Sequence, residues 1–137
     1  MREIEHAELL PAMALKDFKA LEGMRDPDIF EEEIFGFHAQ QAIEKTLKAW
    51  LSLLGIEYQN IHDIERLLSI LKQSGENVKD LWDLMEFNLF AVQFRYEPIA
   101  LTEDTFDRVE IIRRIKLLIN PVHDLIESRK PSQSTSQ

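Results

Sequence analysis

Apolar residues recur every third or fourth position along most of the chain, the spacing of one face of an α-helix. Leu10, Ala14, Leu15, Phe18 and Leu21 predict a first helix from Ile4 to Leu21, with Gly23 as its stop and Pro11 as a kink or the true start. Asp26-Pro27 reads as the next start, an N-cap acid followed by proline at the first helical position, with Glu31, Glu32 and Glu33 near the positive end of the dipole. The second helix predicted from there runs to Leu54, and Gly55 ends it. Phe35, Ala39, Ala42, Ile43, Trp50, Leu53 and Leu54 form its wide apolar face.

A loop over 56–61 precedes a third helix from His62 to Lys72, buried along Ile64, Leu67, Leu68 and Leu71 and broken at Ser74-Gly75. A fourth helix is predicted from Val78 to Phe94 on Leu81, Leu84, Met85, Leu89 and Val92, closed by Glu97-Pro98 because a residue before proline resists the helical region. Thr102 caps a fifth helix reaching Ser128, with Phe106, Val109, Ile112, Ile115, Ile119, Val122 and Ile126 as its seam and a kink at Pro121. The segment 131–137 carries only proline, Ser, Gln and Thr and is expected to be disordered. The expectation is one all-α domain over 1–130, an up-and-down bundle of four or five helices.

Composition narrows the function. With 137 residues the chain is one domain's length. Its net charge of −9 disfavours general binding to nucleic acid. No cysteine is present, which excludes disulfides, thiolate metal sites and a cysteine nucleophile. No run of 18 apolar residues occurs and the first residues lack the pattern of a signal peptide, so the expected location is cytoplasmic, away from membranes. Neither a phosphate-binding glycine loop nor H-E-x-x-H is found, and His6, His38, His62 and His123 are scattered, so no metal site and no cofactor are expected.

Three segments carry candidate chemistry. In the second helix, at about 100° per residue, His38, Gln41, Lys45 and Lys48 share a stripe roughly 80° wide opposite the apolar face. Their imidazole, amide and amines all donate hydrogen bonds to an anion. Alternatively the stripe is a solvated face, with Glu44 and Glu33 to neutralise it. His62, beside a capping Asp63, is either a loop-packing residue or a polar ligand group at a helix end. Arg95, next to Tyr96, either complements a helix C-terminus or grips a phosphate or carboxylate bidentately.

Phe37-His38-Ala39-Gln40-Gln41-Ala42-Ile43-Glu44-Lys45, then His62-Asp63-Ile64, then Arg95-Tyr96 resemble the HEPN domain family, over about Leu9 to Glu127. The resemblance implies a helical bundle paired into a homodimer and partnered with a separately encoded minimal nucleotidyltransferase, often as a toxin–antitoxin module. It also implies nucleotide binding, and metal-independent ribonuclease activity in a subset that carries Arg, four to six residues, then His. Here Tyr96 to Thr102 contain no histidine after Arg95, and His123 is preceded at that spacing by Lys116, Leu117 and Leu118.

The expected function is therefore a non-catalytic protein of this kind, with no catalytic residue and a polar cleft of His38, Gln41, Lys45, His62, Arg95 and Tyr96 for a nucleotide or phosphate ligand. The alternatives are a ribonuclease toxin with an atypical site and a plain protein-interaction module. Leu47, Leu51 and Ile111, which fall outside the main seams, are expected to be covered by a second copy.

Overall fold

The computed structural model describes residues 2–58, 61–90 and 107–129, with side chains from residue 9 onward except that of Leu89. Helix α1 spans Arg2–Gly23, α2 Glu32–Leu53 and α3 Ile64–Gln73; a 3₁₀ helix spans Lys79–Phe90, and α4 Arg108–Ser128. Among the described residues no strand occurs, and the protein is an all-α helical bundle.

Helix α2 is the central element, with α1, α3, the 3₁₀ helix and α4 all packed on it. At 22 residues it is roughly 33 Å long and buries side chains on all sides, including Phe35, Ile43, Leu47 and Leu51. Helix α1 runs antiparallel to it, so that Ala14 lies by Thr46 and Ala49 while Asp17 meets Lys45. The seams expected for the first three helices are buried or partly buried throughout, with Leu21, Ile64, Leu67, Leu68 and Leu71 fully enclosed.

Leu47, Leu51 and Ile111 are 0, 0 and 5 % exposed within the single chain. They belong to its own core, and a second copy is not what covers them.

The helix ends follow local chemistry. Gly55 and Gly75 take φ of +74° and +91°, the left-handed conformation that closes a helix. In each case the amide after the glycine returns to the carbonyl three residues before the cap, Ile56 N to Leu51 O at 2.9 Å and Glu76 N to Leu71 O at 3.0 Å. Asp63 caps α3 by accepting from Glu65 N at 2.9 Å. Helices α1 and α4 run through Pro11 and Pro121.

Four boundaries or faces differ from the sequence reading. Asp26 caps only one turn, accepting from Asp28 N at 2.9 Å, and α2 starts at Glu32. The break falls where Arg108 takes the Phe30 carbonyl at 2.7 Å; Ile34 N, its partner in a continuous helix, turns to Glu31 O at 3.1 Å. The fourth element is a 3₁₀ helix: Val78, Leu84, Phe87 and Phe90 are buried and Leu81 partly so, a period of three that suits three residues per turn. Helix α4 is capped by Asp107, which accepts from Glu110 N at 3.1 Å. Its expected seam is buried at Ile112, Ile115, Ile119 and Val122, but the first turn differs, with Arg108 4 % and Val109 63 % exposed.

In that first turn Arg108 takes the inward place. The Arg108 guanidinium donates to the Met24 and Phe30 carbonyls at 2.7 Å each and lies over the Phe35 ring, 4.9 Å from its centroid. It clamps the α1–α2 connection to α4, and burial pushes its pKa below the usual arginine value. Thr102 and the predicted stop at Glu97-Pro98 lie outside the described residues, as does the tail 131–137.

Candidate functional site

Residues 37–48 of α2 carry two polar networks on neighbouring faces. The first faces α1. His38 Nδ1 lies 2.9 Å from Asp17 Oδ1, and Lys45 Nζ donates to Asp17 Oδ2 at 2.7 Å. His38 and Lys45 are seven positions apart, about two helical turns, and so share a face where one carboxylate bridges them. The Asp17 and Lys45 side chains are 13 and 19 % exposed.

The second network is a relay. Gln41 Nε2 donates to Gln40 Oε1 at 2.7 Å, and Gln40 Nε2 donates to Glu44 Oε1. Glu44 Oε2 accepts from Lys48 Nζ at 2.8 Å and lies 3.0 Å from His62 Nδ1. Gln40, Glu44 and Lys48 recur every four residues, which places them in one row. They are 0, 6 and 8 % exposed. Burial pushes the Glu44 carboxyl up, but the hydrogen bonds from Lys48 and His62 prevail and hold its pKa below the ordinary 4.5. The charged carboxylate makes Nδ1 the protonated nitrogen of His62. Lys48 also lies over the Tyr58 ring, 5.8 Å from its centroid.

The end of the 3₁₀ helix borders this relay. Asn88 Oδ1 accepts from Ile64 N at 2.7 Å and Asn88 Nδ2 donates to Asp63 Oδ1 at 2.7 Å, so it braces the first turn of α3 beside His62. Two residues on, the Phe90 ring lies against Gly36 so closely that a Cβ there would stand 2.5 Å from it.

The sequence-predicted stripe is thus not a wet face. Its members are buried or half-buried, and they divide: His38 and Lys45 turn to α1, Gln41 joins the relay, and Lys48 faces His62. Asp17 takes the neutralising place expected of Glu33. Arg95 and Tyr96 lie outside the described residues. Asp17 and Gln40 were missed, although each left a signal: both are polar residues at core spacing, Asp17 between Ala14 and Leu21, Gln40 between Gly36 and Ile43. Among the described residues no group of three or more metal-ligating side chains is found, and no helix is long and apolar enough to cross a membrane.

A central helix with a buried amide–carboxylate–amine row, inside an all-α bundle, is the class of architecture these residues define. The family model for the HEPN domain matches residues 7–125, and the chain belongs to that family. Comparison with curated proteins and with solved structures finds no match.

Proposed function

We propose that the chain is a non-catalytic HEPN protein whose polar cleft, centred on Glu44, Lys48 and His62, takes a nucleotide or another phosphate ligand. The observation that carries this reading is the buried relay from Gln41 to Lys48 and His62. Desolvating a carboxylate and an amine costs several kcal/mol per ion, so a plain packing role is better served by apolar side chains of the same volume. A row of this kind, opening on a histidine whose side chain is 69 % exposed, has the buried charge and surface outlet that make a candidate binding site.

Arg95 and Tyr96 belong to the proposal through chain length. Arg95 follows Asn88 by seven residues, at most about 25 Å of extended chain, and Asn88 touches Asp63 next to His62. Arg95 supplies the bidentate contact to phosphate and Tyr96 a ring or hydroxyl. Gln41 orients, while His38 and Lys45, fixed on Asp17, set the position of the row. Family precedent supports a homodimer and a separately encoded minimal nucleotidyltransferase as partner, in a toxin–antitoxin-like module acting in the cytoplasm.

The ribonuclease alternative is favoured by one observation. With Nδ1 on Glu44, the Nε2 of His62 is left for proton transfer, the arrangement of a general base. The missing histidine after Arg95 argues against it. Calorimetric titration with nucleoside mono-, di- and triphosphates, beside an RNA-cleavage assay, tests the proposal. Binding without cleavage is expected. Cleavage that survives purification and is lost in both Arg95→Ala and His62→Ala establishes the ribonuclease instead.

A further inference from the structure

Ile29 is 70 % exposed, more than any other large apolar side chain among the described residues. Val109 follows at 63 %, and Ile34 is 39 % exposed. Arg108 brings these positions together. Its guanidinium holds the carbonyl of Phe30, the neighbour of Ile29, and Val109 is the next residue in the chain. The core encloses none of the three.

The patch is set in acid. Residues 26–34 hold Asp26, Asp28, Glu31, Glu32 and Glu33 and no base. The helix dipole accounts for Glu32 and Glu33 in the first turn of α2, and Asp26 caps the turn before it. Arg108 offsets part of the charge of Asp26 and Glu32. Asp28 and Glu31, on either side of Ile29, have no such account. Among the described residues neither forms an ion pair, and the Glu31 side chain makes no cap hydrogen bond.

Exposed aliphatic side chains flanked by uncompensated carboxylates select what covers them. A second copy brings the same acids on a chain of net charge −9 and is repelled. Nucleic acid and an anionic membrane are repelled for the same reason. Residues 91–106 of the chain set Arg95 against Glu97, Glu103 and Asp104, so they do not supply the missing cations. A segment of a different protein fits, with an aliphatic side chain for the patch and Lys or Arg for Asp28 and Glu31. We infer that Asp28, Ile29, Glu31, Ile34 and Val109 form a docking surface for such a basic, aliphatic segment. Ile34 precedes Glu44 by ten positions, about 15 Å along α2, so this surface is separate from the cleft and independent of the nucleotide reading.

Selection of a random-peptide display library on the wild type, with counter-selection on Ile29→Ser/Val109→Ser, tests it; circular dichroism checks that each variant folds. The enriched peptides are expected to combine Lys or Arg with a large aliphatic residue. In fluorescence anisotropy, one such labelled peptide should bind Ile29→Ser/Val109→Ser and Asp28→Asn/Glu31→Gln at least about ten-fold more weakly than wild type. Asp80→Asn/Asp83→Asn, which removes an acidic pair from the 3₁₀ helix, should bind like wild type. No enrichment, enriched peptides without basic residues, an affinity indifferent to Asp28→Asn/Glu31→Gln, or an equal loss in Asp80→Asn/Asp83→Asn overturns the surface. Each of these results leaves nucleotide binding at the Glu44 cleft to its own titration.

Discussion

Glu44 and His62 are eighteen residues apart in sequence and 3.0 Å apart in the fold, Oε2 to Nδ1. The same oxygen accepts from Lys48 at 2.8 Å. Glu44 is buried and His62 exposed, so the contact joins the charged interior of α2 to the surface at the start of α3.

Lys48 is the partner that keeps Glu44 ionised inside the bundle. Lys48→Met removes the cation and leaves a buried carboxylate, which costs about 3 kcal/mol by the usual range for a broken buried pair. Adding Glu44→Gln removes the stranded charge, keeps the contact to Gln40, and should recover at least half of the loss. Urea denaturation of the single and double variants measures both. Equal stability of wild type and Lys48→Met contradicts the assignment.

The same pair sets an acid limb. The Glu44 pKa in the folded protein lies below its ordinary 4.5, so the unfolded chain takes up its proton first as pH falls. The stability Glu44 contributes is complete above pH 4.5 and is lost below it, toward the folded value. Glu44→Gln should flatten that part of the stability–pH curve and leave the curve above neutral pH parallel to wild type. An unchanged acid limb contradicts the geometry.

Gly36 is required by contact. A Cβ at this position meets the Phe90 ring at 2.5 Å. Gly36→Ala should destabilise by about 1–3 kcal/mol in thermal or urea unfolding, even though alanine favours a helix by up to about 1 kcal/mol. Phe90→Leu in the same chain should restore part of the loss. Stabilisation by Gly36→Ala alone contradicts the packing.

Arg108 holds the chain between α1 and α2 through the carbonyls of Met24 and Phe30. Arg108→Met keeps much of the apolar stem but strands those carbonyls, at about 2–4 kcal/mol for two charge-assisted hydrogen bonds. Arg108→Lys should rescue little, because one ammonium does not span the two acceptors of a planar fork. Full stability in Arg108→Lys contradicts the clamp.

These residues mark what sequence periodicity reports and what it omits. The all-α bundle, the three buried seams and the glycine stops were legible because each depends on residues within a few turns, as at Leu67 or Gly55. The start of α2 was not, since Arg108, 78 residues from Phe30, takes the carbonyl a longer helix needs. The polar row was found but placed on the wrong side. A single-helix projection shows that His38, Lys45 and Lys48 share a stripe; it does not show Asp17 on α1 and His62 before α3 covering it. The 3₁₀ element hid for another reason, because a period of three and the helical i, i+3 spacing coincide at Leu81, Leu84 and Phe87.

The central claim is that the Glu44–Lys48–His62 row serves a phosphate-bearing ligand rather than packing alone. Calorimetric titration of one nucleotide into wild type, Arg95→Ala, His62→Ala and Leu9→Asp tests it most directly. Wild type and Leu9→Asp should bind alike. Arg95→Ala and His62→Ala should remain folded and lose roughly ten- to a hundred-fold in affinity, the worth of one charged hydrogen bond. Equal binding by all four, or none by the wild type across a panel of nucleotides, contradicts the account.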